Sequence, residues 1–206
     1  MIYPNMATTL GYIFTDATLS SSVLNDVLKN NIKTTFNAIS CDGDSSTNDM
    51  VSIFSTSKVN HSEIKKYSDS KLKNFNKAVH DVLLNLAKQV VSDGEGASKF
   101  ISINCINCRT EKDAKNISFK IANSLLVKTA IAGEDPNWGR VAMAIGNSDS
   151  KINEQKLSIS FGPYKIYHKG SLYKSYDEER VMEYMKGKSI EIEVDMGQGI
   201  KKLKSY

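Results

Sequence analysis

Hydrophobic and polar positions alternate along this chain in stretches that change period several times. Residues 9–15 are apolar and aromatic enough to predict a short buried strand, and 18–31 read as a helix with a serine-rich first turn. A polar run of turn formers follows at 42–49 and gives way to a strand over Met50–Ser55. From 62 to 92 the spacing is helical, with Ala78, Val79, Val82, Leu83, Leu86, Ala87, Val90 and Val91 recurring one turn apart as a predicted core stripe. Asp93-Gly94-Glu95-Gly96 closes that helix. Beyond it, 99–105 reads as a strand and 110–123 as a helix capped by Thr110, with Asp113 three residues on. Residues 125–132 read as a buried strand, and the loop 133–140 leads into a short apolar helix ending near Ile145. Short strands at 156–160 and 164–167, a helix at 176–185 and a last alternating strand at Ser189–Asp195 complete the pattern. There is no regular βαβ rhythm and no glycine-rich phosphate loop, which favours a layered α/β sandwich over a dinucleotide-binding fold.

At 206 residues the chain can bury a core without disulfide staples, and one globular domain is the simplest reading. No apolar run approaches the roughly 20 residues that cross a bilayer, so no membrane span is expected. Residues 1–10 lack the basic and apolar regions of a secretory signal, which makes the cytoplasm the default location. The net charge is +4, but the lysines are interleaved with acids, as in Glu111-Lys112-Asp113-Ala114-Lys115, a solvated surface rather than a nucleic-acid footprint. The one basic cluster, Lys201-Lys202-Leu203-Lys204, reads as a frayed tail. Three cysteines, an odd number, suit a reducing compartment. Cys105 and Cys108 have metal-ligand spacing, but on a strand positions three apart face opposite ways, so no metal site is expected.

Four constellations carry candidate chemistry, and each has a bland alternative. Pro4-Asn5-Met6-Ala7-Thr8-Thr9-Leu10 reads as a turn entering a strand, where threonine suits the strand by its β-branching. A threonine hydroxyl becomes a nucleophile only beside a base such as its own α-amine, which Thr8 acquires only if the chain is cut before it. The run from Asp42 to Asp49 would build a densely hydrogen-bonded loop or simply a surface turn, and Ile53 at the twelfth position excludes the usual calcium loop. In Asp93-Gly94-Glu95-Gly96-Ala97-Ser98 the flanking glycines leave Glu95 accessible to an amine, although a helix cap with an incidental glutamate spells the same. Asp135-Pro136-Asn137-Trp138-Gly139-Arg140 is either a ligand loop or an anchored turn.

Together these pieces, in this order, resemble the ornithine acetyltransferase family, the bifunctional glutamate N-acetyltransferases of arginine biosynthesis. The resemblance rests on Met1-Ile2, Pro4 to Thr8, Asp42 to Asp49, Asp93 to Ala97, Lys128-Thr129-Ala130 and Gly133 to Ala144, which cover about the first 150 residues. It implies an α-β-β-α sandwich of the self-cleaving, N-terminal-threonine kind. Residues 1–7 would end an α chain, and 8–206 would form the β chain after cleavage between Ala7 and Thr8. Thr8 would carry an acetyl group from N2-acetylornithine to L-glutamate as an ester, and Glu95 would bind substrate. No cofactor is implied, although acetyl-CoA is an alternative acetyl donor in the family. The partner implied is the α chain, in a heterotetramer of two α and two β chains.

The departures also carry expectations. The family's α half supplies a Thr-Gly pair for the oxyanion and a substrate-contacting lysine, none of which lies in these residues. The last residues, 200–206, differ from the family's tail, where an Asn and a Thr or Ser bind substrate. The chain alone is therefore expected to be nearly inactive. Two other readings stay open: an aminopeptidase of the same self-cleaving architecture, and a truncated remnant without chemistry.

Overall fold

The computed structural model describes residues 9–44 and 48–206, which divide into two compact units, 1–90 and 91–206. In the first unit, strand β1 (Leu10–Thr15) pairs in parallel with β2 (Met50–Ser55), and helix α1 (Ser21–Asn31) packs on β2. Helix α1 starts where the Ser20 hydroxyl accepts the Val23 N–H, and Val23, Leu24 and Val27 turn inward. Helix α2 (Leu72–Ser92) runs to the end of the unit.

Three expectations in this unit need correction. The strand at 9–15 forms, but it is not buried: Leu10, Tyr12 and Phe14 stand exposed on one face. The helix begins at Leu72 rather than near 62, because the Asp69 carboxylate accepts the Lys71 N–H and starts the chain turning there. Upstream of it Ile64 bridges to Leu19 as extended chain. The apolar stripe of α2 is also narrower than eight residues. Val79, Leu83 and Ala87 are buried with Leu72, whereas Ala78 and Val82 face outward. A seam of period 3.6 buries only the positions on its axis, and its flanks stay wet.

The second unit is a six-stranded sheet in the order β6-β5-β4-β7-β3-β8. Its strands are β3 (Phe100–Cys108), β4 (Ser158–Phe161), β5 (Tyr164–His168), β6 (Ser171–Leu172), β7 (Ser189–Asp195) and β8 (Lys201–Ser205). Only β3 and β7 run parallel, and the remaining neighbours are antiparallel. Helices α3 (Glu111–Ala122), α4 (Leu125–Ala132), α5 (Trp138–Gly146) and α6 (Glu178–Met185) supply the other wall of the core. Ile117, Ile131, Ile145 and Met185 from the helices meet Ile103, Ile159, Phe161, Ile192 and Val194 from the sheet.

Residues 125–132 form helix α4, not the expected strand. The Ser124 hydroxyl accepts the Val127 N–H, and burial falls on Val127, Ala130 and Ile131, the spacing of one helix face. An apolar run of eight residues satisfies both periods, and packing of Val127 and Ile131 into the core with the sheet selects the helix that the Ser124 cap starts. Cys105 and Cys108 do not face opposite ways either. The β3–β8 register shifts between them, Asn107 takes φ 54°, and both thiols enter the same core. Burial raises both, Cys108 to about 11.

The lysine-rich tail is strand β8, not a frayed end. Leu203 packs towards the core, the buried Ser205 hydroxyl bonds that of Ser118 on α3, and Lys201 pairs with Glu111 at 3.0 Å. Lys204 points to the other face and pairs with Glu191 at 2.7 Å. Alternation across a pleat lets one short run be apolar on one side and cationic on the other, and lysines suit an edge. A Cβ on Gly199 would stand 2.3 Å from the Cys108 carbonyl oxygen, which is backbone. Gly199→Ala is therefore expected to cost about 1–3 kcal/mol in overpacking. Urea unfolding read with amide exchange in β8 checks this, and wild-type stability would contradict the β3–β8 approach.

Candidate active site

Of the residues singled out for chemistry, Thr8 and the Ala7–Thr8 bond lie outside the described residues, as do Ser45, Ser46 and Thr47 of the acidic run. The adjoining residue is informative. The Thr9 N–H donates to the Asp49 carboxylate, and the Met50 N–H donates to the Thr9 carbonyl at 2.9 Å. Parallel pairing of β1 and β2 thus brings the end of the acidic run to the residue following Thr8. Burial lifts the Asp49 carboxyl above its ordinary range, and the hydrogen bond from Thr9 works against that shift. At the other end of the run the Asp42 carboxylate accepts the Asp44 N–H at 3.0 Å, closing a local turn. Sequence reasoning had the acidic loop and the strand start as separate motifs. The structure ties them by one hydrogen bond, a pairing across 40 residues that no local signal encodes.

Glu95 lies in the second unit. The Ala97 N–H donates to the Gly94 carbonyl at 2.9 Å, and Gly96 takes φ +74° with open space where a Cβ would project. A turn with positive φ at its third position requires glycine there, and it displays the second residue. That second residue is Glu95, exposed and without a hydrogen-bond or ion-pair partner among the described residues.

The segment after this turn is pinned. The Lys99 ammonium, its side chain 9% exposed, donates to the Met185 carbonyl at 2.6 Å and pairs with Glu134 at 3.0 Å. Glu134 is held at φ 60° just beyond the Gly133 cap of α4. Lys99 was not among the candidates. A lone lysine at a strand start gives no sign of a buried carbonyl cluster waiting for it.

The remaining two motifs meet each other. The Arg140 guanidinium donates to the Leu126 carbonyl at 2.9 Å and to the Thr129 hydroxyl at 3.0 Å, joining the Lys128-Thr129-Ala130 turn of α4 to α5. Asn137 caps α5 by accepting the Arg140 N–H and donates to Asp135. Trp138 stacks on Tyr167 with centroids 5.0 Å apart. Of the two readings of this loop, the contacts seen are those of an anchored turn.

One face of the large sheet carries a polar cleft of about 320 Å³ that the sequence reading passed over. Within it His168 Nδ1 lies 3.0 Å from the Ser158 hydroxyl, and its two carboxylates are held from the neighbouring strand side, Asp195 by Asn107 and Glu193 by Asn104. The signal was present as Ser and Glu at every second position of β4 and β7. No cluster of three or more His, Cys, Asp or Glu suited to a metal occurs among the described residues, and none of their helices is long and apolar enough to cross a membrane.

The chain is 46% identical to the arginine biosynthesis bifunctional protein ArgJ of Bradyrhizobium diazoefficiens over 202 residues, 97% of this chain and 49% of that protein. It is 45% identical to the protein of the same name from Zymomonas mobilis over 199 residues, with the same coverage. The chain therefore spans about half the length of the curated relatives it matches. Its structure superimposes on the crystal structure of ArgJ from Bacillus halodurans with a TM-score of 0.91 at 33% identity, covering 96% of this chain and 92% of that one. The fold is thus the layered α/β sandwich expected from the resemblance. The ArgJ family model matches residues 1–206, every position of the sequence, and the chain belongs to the ArgJ family.

Proposed function

We propose that this chain is the nucleophile-bearing half of an arginine-biosynthesis acetyltransferase that moves the acetyl group of N2-acetylornithine to L-glutamate. The observation that carries this reading is Glu95, a carboxylate without a partner among the described residues, displayed on a glycine-framed turn in a chain that matches the family throughout. An accessible carboxylate recognises the amine of an ornithine-like substrate. The chemistry begins with self-processing. The Thr8 hydroxyl attacks the Ala7 carbonyl carbon, the C–N bond gives way to an ester, and water hydrolyses that ester to leave a free Thr8 amine.

That amine, with a reference pKa of about 7.7–8.0, is partly neutral at physiological pH and takes the Thr8 hydroxyl proton. The alkoxide oxygen adds to the acetyl carbonyl of N2-acetylornithine, ornithine leaves carrying the proton on its amine, and an acetyl-threonine ester remains. The glutamate amine then attacks the ester carbonyl, releasing N-acetylglutamate and restoring the Thr8 hydroxyl. The α half of the family supplies the oxyanion donors, in a heterotetramer of two α and two β chains, and the assembly works in the cytoplasm. The scheme uses no cofactor, with acetyl-CoA as an alternative acetyl donor.

Glu95→Gln keeps the shape of the turn and removes the charge. Losing one charge-assisted hydrogen bond costs about 1.5–3 kcal/mol, which is roughly a 10- to 150-fold fall in kcat/KM for N2-acetylornithine at about 1.4 kcal/mol per decade. Kinetics of the assembled protein with a thermal melt alongside checks this. Unchanged kinetics at normal stability would reduce Glu95 to a turn residue.

A further inference from the structure

Opposite charges share the polar cleft of the large sheet without pairing. Lys165 and His168 come from β5, Ser158 and Ser160 from β4, and Glu193 and Asp195 from β7. Strand register sets them in two rows across the sheet: Lys165 opposite Ser160 and Ser160 opposite Glu193, then His168 opposite Ser158 and Ser158 opposite Asp195. Each row has a basic side chain on one outer strand, a carboxylate on the other and a hydroxyl between them. The second row is closed by its own contacts. His168 meets the Ser158 hydroxyl at 3.0 Å, and Asp195 accepts the Asn107 amide and the Gly197 N–H, both at 2.9 Å. The first row is open. Lys165 lies over the Tyr173 ring, 5.8 Å from its centroid, Glu193 accepts from Asn104 at 3.0 Å, and the Ser160 hydroxyl has no partner among the described residues. Neither Lys165 nor Glu193 is in an ion pair among the described residues, although Lys204 and Glu191 close one at 2.7 Å on the same face.

Neighbouring strands are about 4.7–4.9 Å apart, so the two ends of the open row stand about 9–10 Å from each other across β4. Charge-assisted hydrogen bonds of about 2.7–2.9 Å at each end leave room there for a ligand whose ammonium and carboxylate hang from one carbon. A ligand with a single charge would satisfy one end and leave the other unmatched. The cleft's other two lysines keep this polarity: Lys169 adjoins the cationic end, and Lys156 backs onto Gly197 beyond the second row. We infer that this cleft binds the head group of a free α-amino acid, with the ammonium on Glu193, the carboxylate on Lys165 and the Ser160 hydroxyl donating to that carboxylate. Its volume of about 320 Å³ falls in the range of small-molecule sites. None of these residues has a role in the acetyl-transfer scheme, and the site stands or falls apart from it.

The test titrates the chain, isotope-labelled and assembled with its complementary half, with L-alanine, L-arginine and L-glutamate at millimolar concentration, and follows backbone amide shifts. Propionate and ethylamine serve as alanine without its ammonium and without its carboxylate. The expected result is saturable shifts at 158–160, 165–168 and 193–195 with at least one of the three amino acids. For alanine, either half-molecule should bind at least about tenfold more weakly, the loss of one charge-assisted contact. Glu193→Gln and Lys165→Met should each weaken binding by about tenfold or more while leaving acetyl transfer unchanged. Lys165 is exposed, so Lys165→Met should melt like the parent and keep the test decisive even if Glu193→Gln disturbs the Asn104 contact. Saturation of these strands by none of the three amino acids, shifts that both variants leave intact, or propionate binding as well as alanine would overturn the inference.

Discussion

Replacing Thr8 with alanine is expected to leave a full-length precursor uncut at Ala7–Thr8 and to abolish acetyl transfer. Both effects have one cause, since the hydroxyl that opens the peptide bond is the one that later carries the acetyl group. In other enzymes, deleting an activated nucleophile costs on the order of 10⁴–10⁶ in rate. Intact-mass analysis of the wild-type precursor should show a chain beginning at Thr8, and Thr8→Ala should run as one uncut species. A Thr8→Ala protein still cleaved at that bond would remove the central residue of the scheme. The wild-type rate should also fall as pH drops below the amine's ordinary range of about 7.7–8.0, because the protonated amine cannot accept the hydroxyl proton. Asp49, held against the Thr9 N–H, gives a second handle: Asp49→Asn keeps its shape and should disturb processing before it disturbs the melt.

The second large effect concerns the lone chain. Purified 206-residue protein, trimmed to expose Thr8, should turn over N2-acetylornithine and glutamate at least about 10²–10³ more slowly than the same chain with its complementary half, the cost of one missing oxyanion donor. Mass spectrometry of N-acetylglutamate with and without the partner measures this directly. Robust turnover by the lone chain would mean that the oxyanion donors lie within these residues, and the roles assigned from the family would have to be redrawn.

Where sequence and structure agree, the signal was local. Thr110 capping α3, the turn at Gly94 to Ala97 and the strand Met50–Ser55 were legible because caps, positive-φ glycines and alternation act within a few residues. The family was legible too, because several long motifs in order constrain it far more tightly than any one of them. Where they disagree, the deciding contact lay far away in sequence. Val127, Ala130 and Ile131 settled as a helix against a distant sheet, and Lys201–Ser205 became a strand because β3 offered an edge and Glu191 a counter-charge. Nothing in an eight-residue apolar run or a lysine-rich tail records those partners.

The sequence by itself determined the elements whose signals are local, such as the Thr110-capped helix and the strand Met50–Ser55, the family, and that Glu95 would be presented by glycines. Tertiary structure alone decided which faces were covered. Leu10, Tyr12 and Phe14 looked like core by composition and are exposed, while the polar Ser118 and Ser205 are buried against each other. Burial is a property of packed layers, fixed when distant strands pair, and hydrophobicity supplies only the tendency that pairing must satisfy.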